Sequence, residues 1–150
     1  MTGIEGAGVT IRRAVPEDAA AVTELCVQLG YAATAEEIRG RIVALLEREA
    51  SGAVFVACVE GEVVGWVDVA LTFHLQTAPF ALIGGLVVKE GLRGLRIGKR
   101  LCEGAEAWSR VQGVTVVRVT SRSTRAEAHR FYLREGYTDV KTSRVFEKLL

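Results

Sequence analysis

The stretch ALIGGLVVKEGLRGLRIGKRLCEGAEAWSR, Ala81 to Arg110, decides the fold. It opens on an apolar run, Ala81 to Val88, broken only by Gly84 and Gly85. A run so apolar and so short predicts a strand covered on both faces rather than an alternating surface strand. Lys89 to Arg100 follows, with three glycines and five cations in twelve residues. Ile97, Leu101, Ala105 and Trp108 then recur at helical spacing. Strand, glycine-and-arginine turn, helix is a way to build an anion site. The first N–H groups of a helix have no partner within it, and the helix dipole favours negative charge there. Glycines let a phosphate approach the backbone, and arginines add charge-assisted hydrogen bonds.

The rest of the chain is read outward from this unit. Residues 1–8 are small and glycine-rich and read as a loose tail, leaving 9–150 as one domain. Val9 to Val15 reads as a first strand. Pro16-Glu17-Asp18 opens a helix that carries Ala21, Leu25 and Leu29 on one side and stops at Gly30. Thr34 with Glu37 is a capping box for a second helix to about Ala50, with Ile38, Ile42, Leu45 and Leu46 inward. Ala53 to Glu60 and Val63 to Phe73 form a hairpin around Gly61-Glu62, and His74 to Pro79 leads into the central strand. After the central helix come a β-branched strand, Val114 to Thr120, and a helix capped by Thr124 with Glu127 and ended at Gly136. Tyr137 to Val140 and Val145 to Leu149 close the sheet. The predicted order is β-α-α-β-β-β-α-β-α-β-β. It is an α/β fold with a mixed, mostly antiparallel sheet of about seven strands and four flanking helices.

Composition narrows the function. Hydrophobic residues make up 49% and charged residues 25%, as in a soluble globular protein. No apolar run reaches the ~18 residues of a membrane span, and the start lacks a secretory pattern, so a cytoplasmic protein without a membrane partner is expected. Cys26, Cys58 and Cys102 are widely spaced and form no disulfide or zinc pattern, so no metal is expected. Residues 1–88 carry 11 acids and 5 bases (−6), and residues 89–150 carry 7 acids and 14 bases (+7). That split suggests a polyanionic ligand on the C-terminal half. A P-loop is excluded because Gly98-Lys99 is followed by Arg100, and the dinucleotide fingerprint is absent. The basic half comes with no nucleic-acid recognition motif, so no nucleic-acid partner is expected.

The motifs resemble those of the GCN5-related N-acetyltransferases, the GNAT superfamily. That family's cofactor signature runs Gln or Arg, two residues, Gly, one residue, Gly or Ala. Arg93, Gly94, Leu95, Arg96, Ile97 and Gly98 match it at both ends, with Arg96 in place of the middle glycine. Its second signature is met by Ala128, Phe131, Tyr132, Gly136 and Tyr137.

The resemblance implies acetyl-CoA as co-substrate. Its pyrophosphate would lie on Arg93, Gly94, Leu95, Arg96, Ile97, Gly98 and Lys99, and Arg125 would reach a phosphate. Its pantetheine arm would pair with the main chain of Leu86, Val87 and Val88 as an added strand does. Gly84 and Gly85 fit a kink that splays this strand from Val114–Thr120. The side chain of Arg96 is expected to point outward, since it would otherwise crowd the phosphates.

The resemblance also implies acetyl transfer to a primary amine of a small molecule or peptide, with Tyr132 as general acid. A phenol of pKa about 10 is protonated at neutral pH and can give its proton to a leaving thiolate. Many family members carry a Glu base two residues before the segment Leu86-Val87-Val88, where this chain has Gly84. Asp68, which a hairpin brings near Gly85, is the candidate in its place. Tyr31 and His74 are candidates for the acceptor wall, and His129 is expected to pack or cap. A homodimer joined through exposed terminal strands such as Val145–Leu149 fits this order. A second function stays open: a non-catalytic CoA- or acyl-CoA-binding sensor or scaffold.

Overall fold

Parallel neighbours in a sheet need a crossover connection, and one helix supplies it here. The computed structural model describes residues 8–92 and 95–150. The chain forms two compact units, Met1–Val119 and Thr120–Leu150. In the first unit, strands β1 (Val9–Arg13), β2 (Gly52–Val59), β3 (Glu62–Thr72), β4 (Phe80–Val88) and β5 (Val117–Val119) lie in that order in one five-stranded sheet. Pairs β1–β2, β2–β3 and β3–β4 are antiparallel, whereas β4–β5 is parallel. Helices α1 (Ala19–Leu29) and α2 (Ala35–Leu46) join β1 to β2, and α3 (Ile97–Val111) is the crossover between β4 and β5.

Each helix packs through the stripe its sequence dictates. Ile97, Leu101, Ala105 and Trp108 of α3 are buried against Val64, Val67, Val69, Ala81 and Ile83 of the sheet. The opposite face packs Val56, Cys58, Trp66 and Val87 against Val22, Leu25 and Cys26 of α1 and Ile38 and Ile42 of α2. The sheet is thus covered on both sides, as the apolar run in β4 requires. Gly65 lets α3 approach closely, because a Cβ there would stand 2.9 Å from the Val87 carbonyl and 3.1 Å from Leu101 Cδ1. A short 3₁₀ turn, Pro16–Asp18, precedes α1, and Gly30 ends α1 in the left-handed region at φ 104°. The Thr34–Glu37 capping box forms, with Glu37 N–H donating to Thr34 Oγ1 (3.1 Å) and Thr34 N–H to Glu37 Oε1 (2.9 Å).

Several expectations are corrected. The sheet has five strands, not about seven, and residues 137–150 carry no strand. Strand conformation needs a neighbour to supply the hydrogen-bond ladder, and no ladder forms for Tyr137–Val140 or Val145–Leu149 among the described residues. The strand expected over Val114–Thr120 is only Val117–Val119, and α2 stops at Leu46 rather than near Ala50, leaving Leu46 exposed.

The second unit contains helix α4 (Ala126–Arg134). The Thr124–Glu127 box does not form: Arg125 occupies the cap position at φ −92°, ψ 74°, without a side-chain cap. Gly136, at φ 95°, ends the helix as expected, and Tyr137 N–H donates to the Tyr132 carbonyl at 2.9 Å.

Candidate active site

The site is built on an open strand edge. Strand β5 pairs with β4 only through Ala81–Ile83, so it does not reach Gly84–Val88. At the same level the β3–β4 register steps from Val69↔Ile83 to Asp68↔Gly85, leaving Gly84 as the extra residue of a bulge. Lys89 N–H donates to the Val64 carbonyl of β3 at 2.7 Å. Backbone groups alternate sides along a strand, so those of Val88 and Leu86 face away from β3, toward the open edge. That is the edge the pantetheine arm was expected to use. Val87, between them, buries its side chain against Trp66 and α1.

Both glycines face side chains arriving from β3. A Cβ on Gly85 would sit 2.7 Å from Trp66 Cη2 and 3.0 Å from Cζ3, closer than packed atoms allow. A Cβ on Gly84 would meet Asp68 Oδ1 at 3.1 Å and Oδ2 at 3.3 Å. The Asp68 carboxylate therefore occupies the space that a side chain at 84 would enter. It faces α1, and its negative charge helps to raise the pKa of the Cys26 thiol, an effect smaller than that of burial. Burial likewise raises the pKa of Asp68 itself, offset in part by the backbone amides of Gly85, Asp68 and Gly84. These amides point toward the carboxylate, yet Oδ1 meets no donor at hydrogen-bonding geometry among the described residues. A desolvated carboxylate of raised pKa with an unused lone pair is suited to accept a proton.

The other half of the site is the start of α3. Arg93 and Gly94, expected at the head of the anion-binding turn, lie outside the described residues. Leu95 packs on the core and Ile97 is buried in it, so what they can offer a ligand is backbone. Arg96 stands between them at φ 58°, ψ 31° with its side chain exposed. The left-handed backbone that a glycine would take there is thus kept by an arginine. Gly98 and Lys99 fall in the first turn, with Lys99 Nζ 3.7 Å from Glu103.

The remaining candidates divide between the two units. Tyr31 is exposed just beyond α1, its N–H bonded to the Cys26 carbonyl at 2.9 Å. His74 lies in the loop at the far end of the β3–β4 hairpin, its ring 5.9 Å from that of Phe80. Asp68 and Thr72 alone are ~13 Å apart along an extended strand, so the structure does not bring His74 to Asp68. In the second unit, Tyr132 stacks edge-on with Phe131 (5.2 Å) and Tyr137 (5.7 Å). Arg125 caps the same helix, and His129 Nε2 lies 2.8 Å from the Arg122 carbonyl, a capping contact.

Two residues escaped the sequence reading. Trp66, whose Nε1 is buried without a partner among the described residues, is signalled by the paired glycines opposite it. Gln28 of α1 reaches β4 across 60 residues of sequence, and no local pattern announces it.

Comparison with known proteins gives this geometry its class. The profile of the acetyltransferase (GNAT) family matches residues 19–137, and the chain belongs to that family. It is 41% identical over 83 residues to the aminoalkylphosphonate N-acetyltransferase of Salmonella typhimurium, a match spanning 55% of this chain and 54% of that one. It is 31% identical over 137 residues, 88% of each chain, to the aminoglycoside N(6')-acetyltransferase type 1 of Stenotrophomonas maltophilia. Among solved structures, the aminoglycoside N-acetyltransferase AAC(6')-Iy in complex with CoA superposes with a TM-score of 0.83 at 15% identity, over 93% of this chain and 94% of the other. The aminoglycoside 6'-N-acetyltransferase AAC(6')-IG of Acinetobacter haemolyticus gives 0.81 at 15% identity, over 94% and 99%. No helix among the described residues is long and apolar enough to cross a membrane.

Proposed function

We propose that this chain transfers an acetyl group from acetyl-CoA directly to a primary amine of a small molecule or peptide. The observation that carries the reading is the edge of β4 left without a strand beyond Ile83, leading to the N-terminus of α3. That edge fits an extended arm bearing amides, and the first N–H groups of a helix, which the helix itself does not pair, suit its diphosphate. Bound there, acetyl-CoA would supply an acyl thioester to the amine.

The chain's own residues do the rest. An amine of pKa ~10.4 must lose a proton before it attacks, at a cost of about 4–5 kcal/mol at neutral pH. Asp68 takes that proton on Oδ1. Backbone N–H groups of the Leu86–Val88 edge stabilise the negative charge on the carbonyl oxygen. Tyr132 gives a proton to the departing sulfur, a role supported by its place in the second family signature. Arg125 adds charge toward the coenzyme, and Tyr31 and His74 belong to the acceptor side. The relatives point to small amines, aminoglycosides or aminoalkylphosphonates, as the acceptors to try first. We read residues 9–150 as one catalytic domain working in the cytoplasm, and pairing of copies through residues 145–149 is tested by light scattering.

The test is release of free thiol from acetyl-CoA in the presence of an amine panel that includes both acceptor classes. Amine-dependent release that falls about 10²–10⁴-fold in Tyr132→Phe supports the proposal. The bare Gly84 favours a second reading, a CoA-binding module without turnover. Tight CoA binding with no thiol release on any amine would select it.

A further inference from the structure

The side-chain amide of Gln28 lies on the open edge of β4. Its Nε2 donates to the Val88 carbonyl at 2.6 Å, and its Oε1 accepts from Glu90 N–H at 3.1 Å. One amide that donates to residue j−1 and accepts from residue j+1 reproduces the bonds that a residue of a parallel neighbouring strand would make opposite Lys89. Strand β5 is the parallel neighbour of β4 at its other end, through Ala81–Ile83. The edge is therefore closed at both ends, by β5 below and by Gln28 above. Among the described residues, what remains between them is the Val88 N–H and the N–H and carbonyl of Leu86.

We infer that Gln28 fixes the register in which the coenzyme arm lies on β4. An extended arm with amides can pair with any run of outward-facing strand groups, and strand pairings slip where nothing pins them. The slip available here is by two residues, toward Val88 C=O and Glu90 N–H, and would draw the arm about 7 Å back from the bulge. Gln28 already fills those two groups, so only the pairing at Leu86 and Val88 N–H is left. That pairing holds the thioester at the level of Gly84, Gly85 and Asp68. Gln28 is a positioning residue that acts through β4. Its two bonds are solvent-exposed, so it adds little to folding stability.

This inference rests on the proposed function, and the experiment separates the two. Wild type is first shown to bind CoA and to turn over acetyl-CoA with an accepted amine; failure there sinks the function itself. With wild type active, Gln28→Ala is compared with it by steady-state kinetics, by calorimetry with CoA and by thermal melting. The expected result is a kcat lowered about tenfold or more, with KM for acetyl-CoA and Kd for CoA unchanged or lower, KM for the amine unchanged, and the melting temperature within a few degrees. Bound but misplaced coenzyme gives that split. An unchanged kcat overturns the inference, whether CoA affinity rises (Gln28 merely held the place of the arm) or falls (Gln28 merely anchored the loop).

Discussion

The carboxylate of Asp68 lies against the bare α-carbon of Gly84, two residues on adjacent strands sharing the space of one side chain. The distance from Oδ1 to where a Cβ would stand is 3.1 Å. The acid and the vacancy are therefore one feature, and it can be tested from either side.

Asp68→Asn keeps the shape and removes the proposed base. Activity is expected to fall about 10²–10⁴-fold. In wild type, kcat/KM should drop more steeply below the raised pKa of Asp68, and that extra steepness should vanish in the variant. Stability moves the other way. The folded pKa lies above the unfolded value of about 3.9, so the native state binds the proton more tightly. Stability is then full below the unfolded value and declines as pH rises through the folded one. Asp68→Asn should therefore melt higher than wild type at pH 7 and level with it near pH 3, as read by thermal denaturation across pH.

Gly85→Ala places a methyl group 2.7 Å from the Trp66 ring in the core beneath α1. The ring must move, and overpacking of this kind costs about 1–3 kcal/mol. Urea denaturation followed by tryptophan fluorescence should show a lower midpoint with an unchanged slope.

Arg96→Gly should relax the start of α3. A non-glycine residue at φ 58° costs roughly 1 kcal/mol, part of which returns as unfolded-state entropy when glycine replaces it. The variant should be as stable as wild type or more so by several tenths of a kcal/mol. Its affinity for CoA should be weaker at low salt, with the difference shrinking as salt is raised. Isothermal titration at two ionic strengths reads both.

Asp18 holds the opposite edge of the sheet. It accepts from Arg12 Nη1 and Nη2 at 2.8 and 2.9 Å and from Val15 N–H at 2.9 Å, while itself nearly buried. The Arg12 hydrogen bond is the largest cause of its lowered pKa. A lowered folded pKa stabilises above the unfolded value, and the stabilisation is lost as pH falls through the folded one. Asp18→Ala should cost about 2–3 kcal/mol at pH 7 and much less at pH 2, by chemical denaturation.

Much of this was legible in the sequence because it is local or periodic. Ile97, Leu101, Ala105 and Trp108 announce the buried stripe of α3, Gly30 and Thr34–Glu37 mark helix ends, and Gly84-Gly85 marks the break in β4. Asp68 opposite Gly85 follows from counting back through a hairpin. The failures share a cause. Residues 137–150 have strand-forming chemistry, but a strand exists only where another edge receives it. Thr124 and Glu127 have the right spacing, but Arg125 takes the cap. Gln28 makes its bonds to a strand 60 residues away, beyond any window of sequence.

The shared space between Gly84 and Asp68 also constrains how such a chain can change. A carboxylate placed at position 84 by a single substitution would arrive beside the one already there, and two like charges in one buried space disfavour each other's ionisation. Moving the acid from one strand to its neighbour takes two coordinated replacements with an unfavourable intermediate. What position 84 can hold therefore depends on what stands at 68, and shortening the acid with Asp68→Ala should make room for a side chain there.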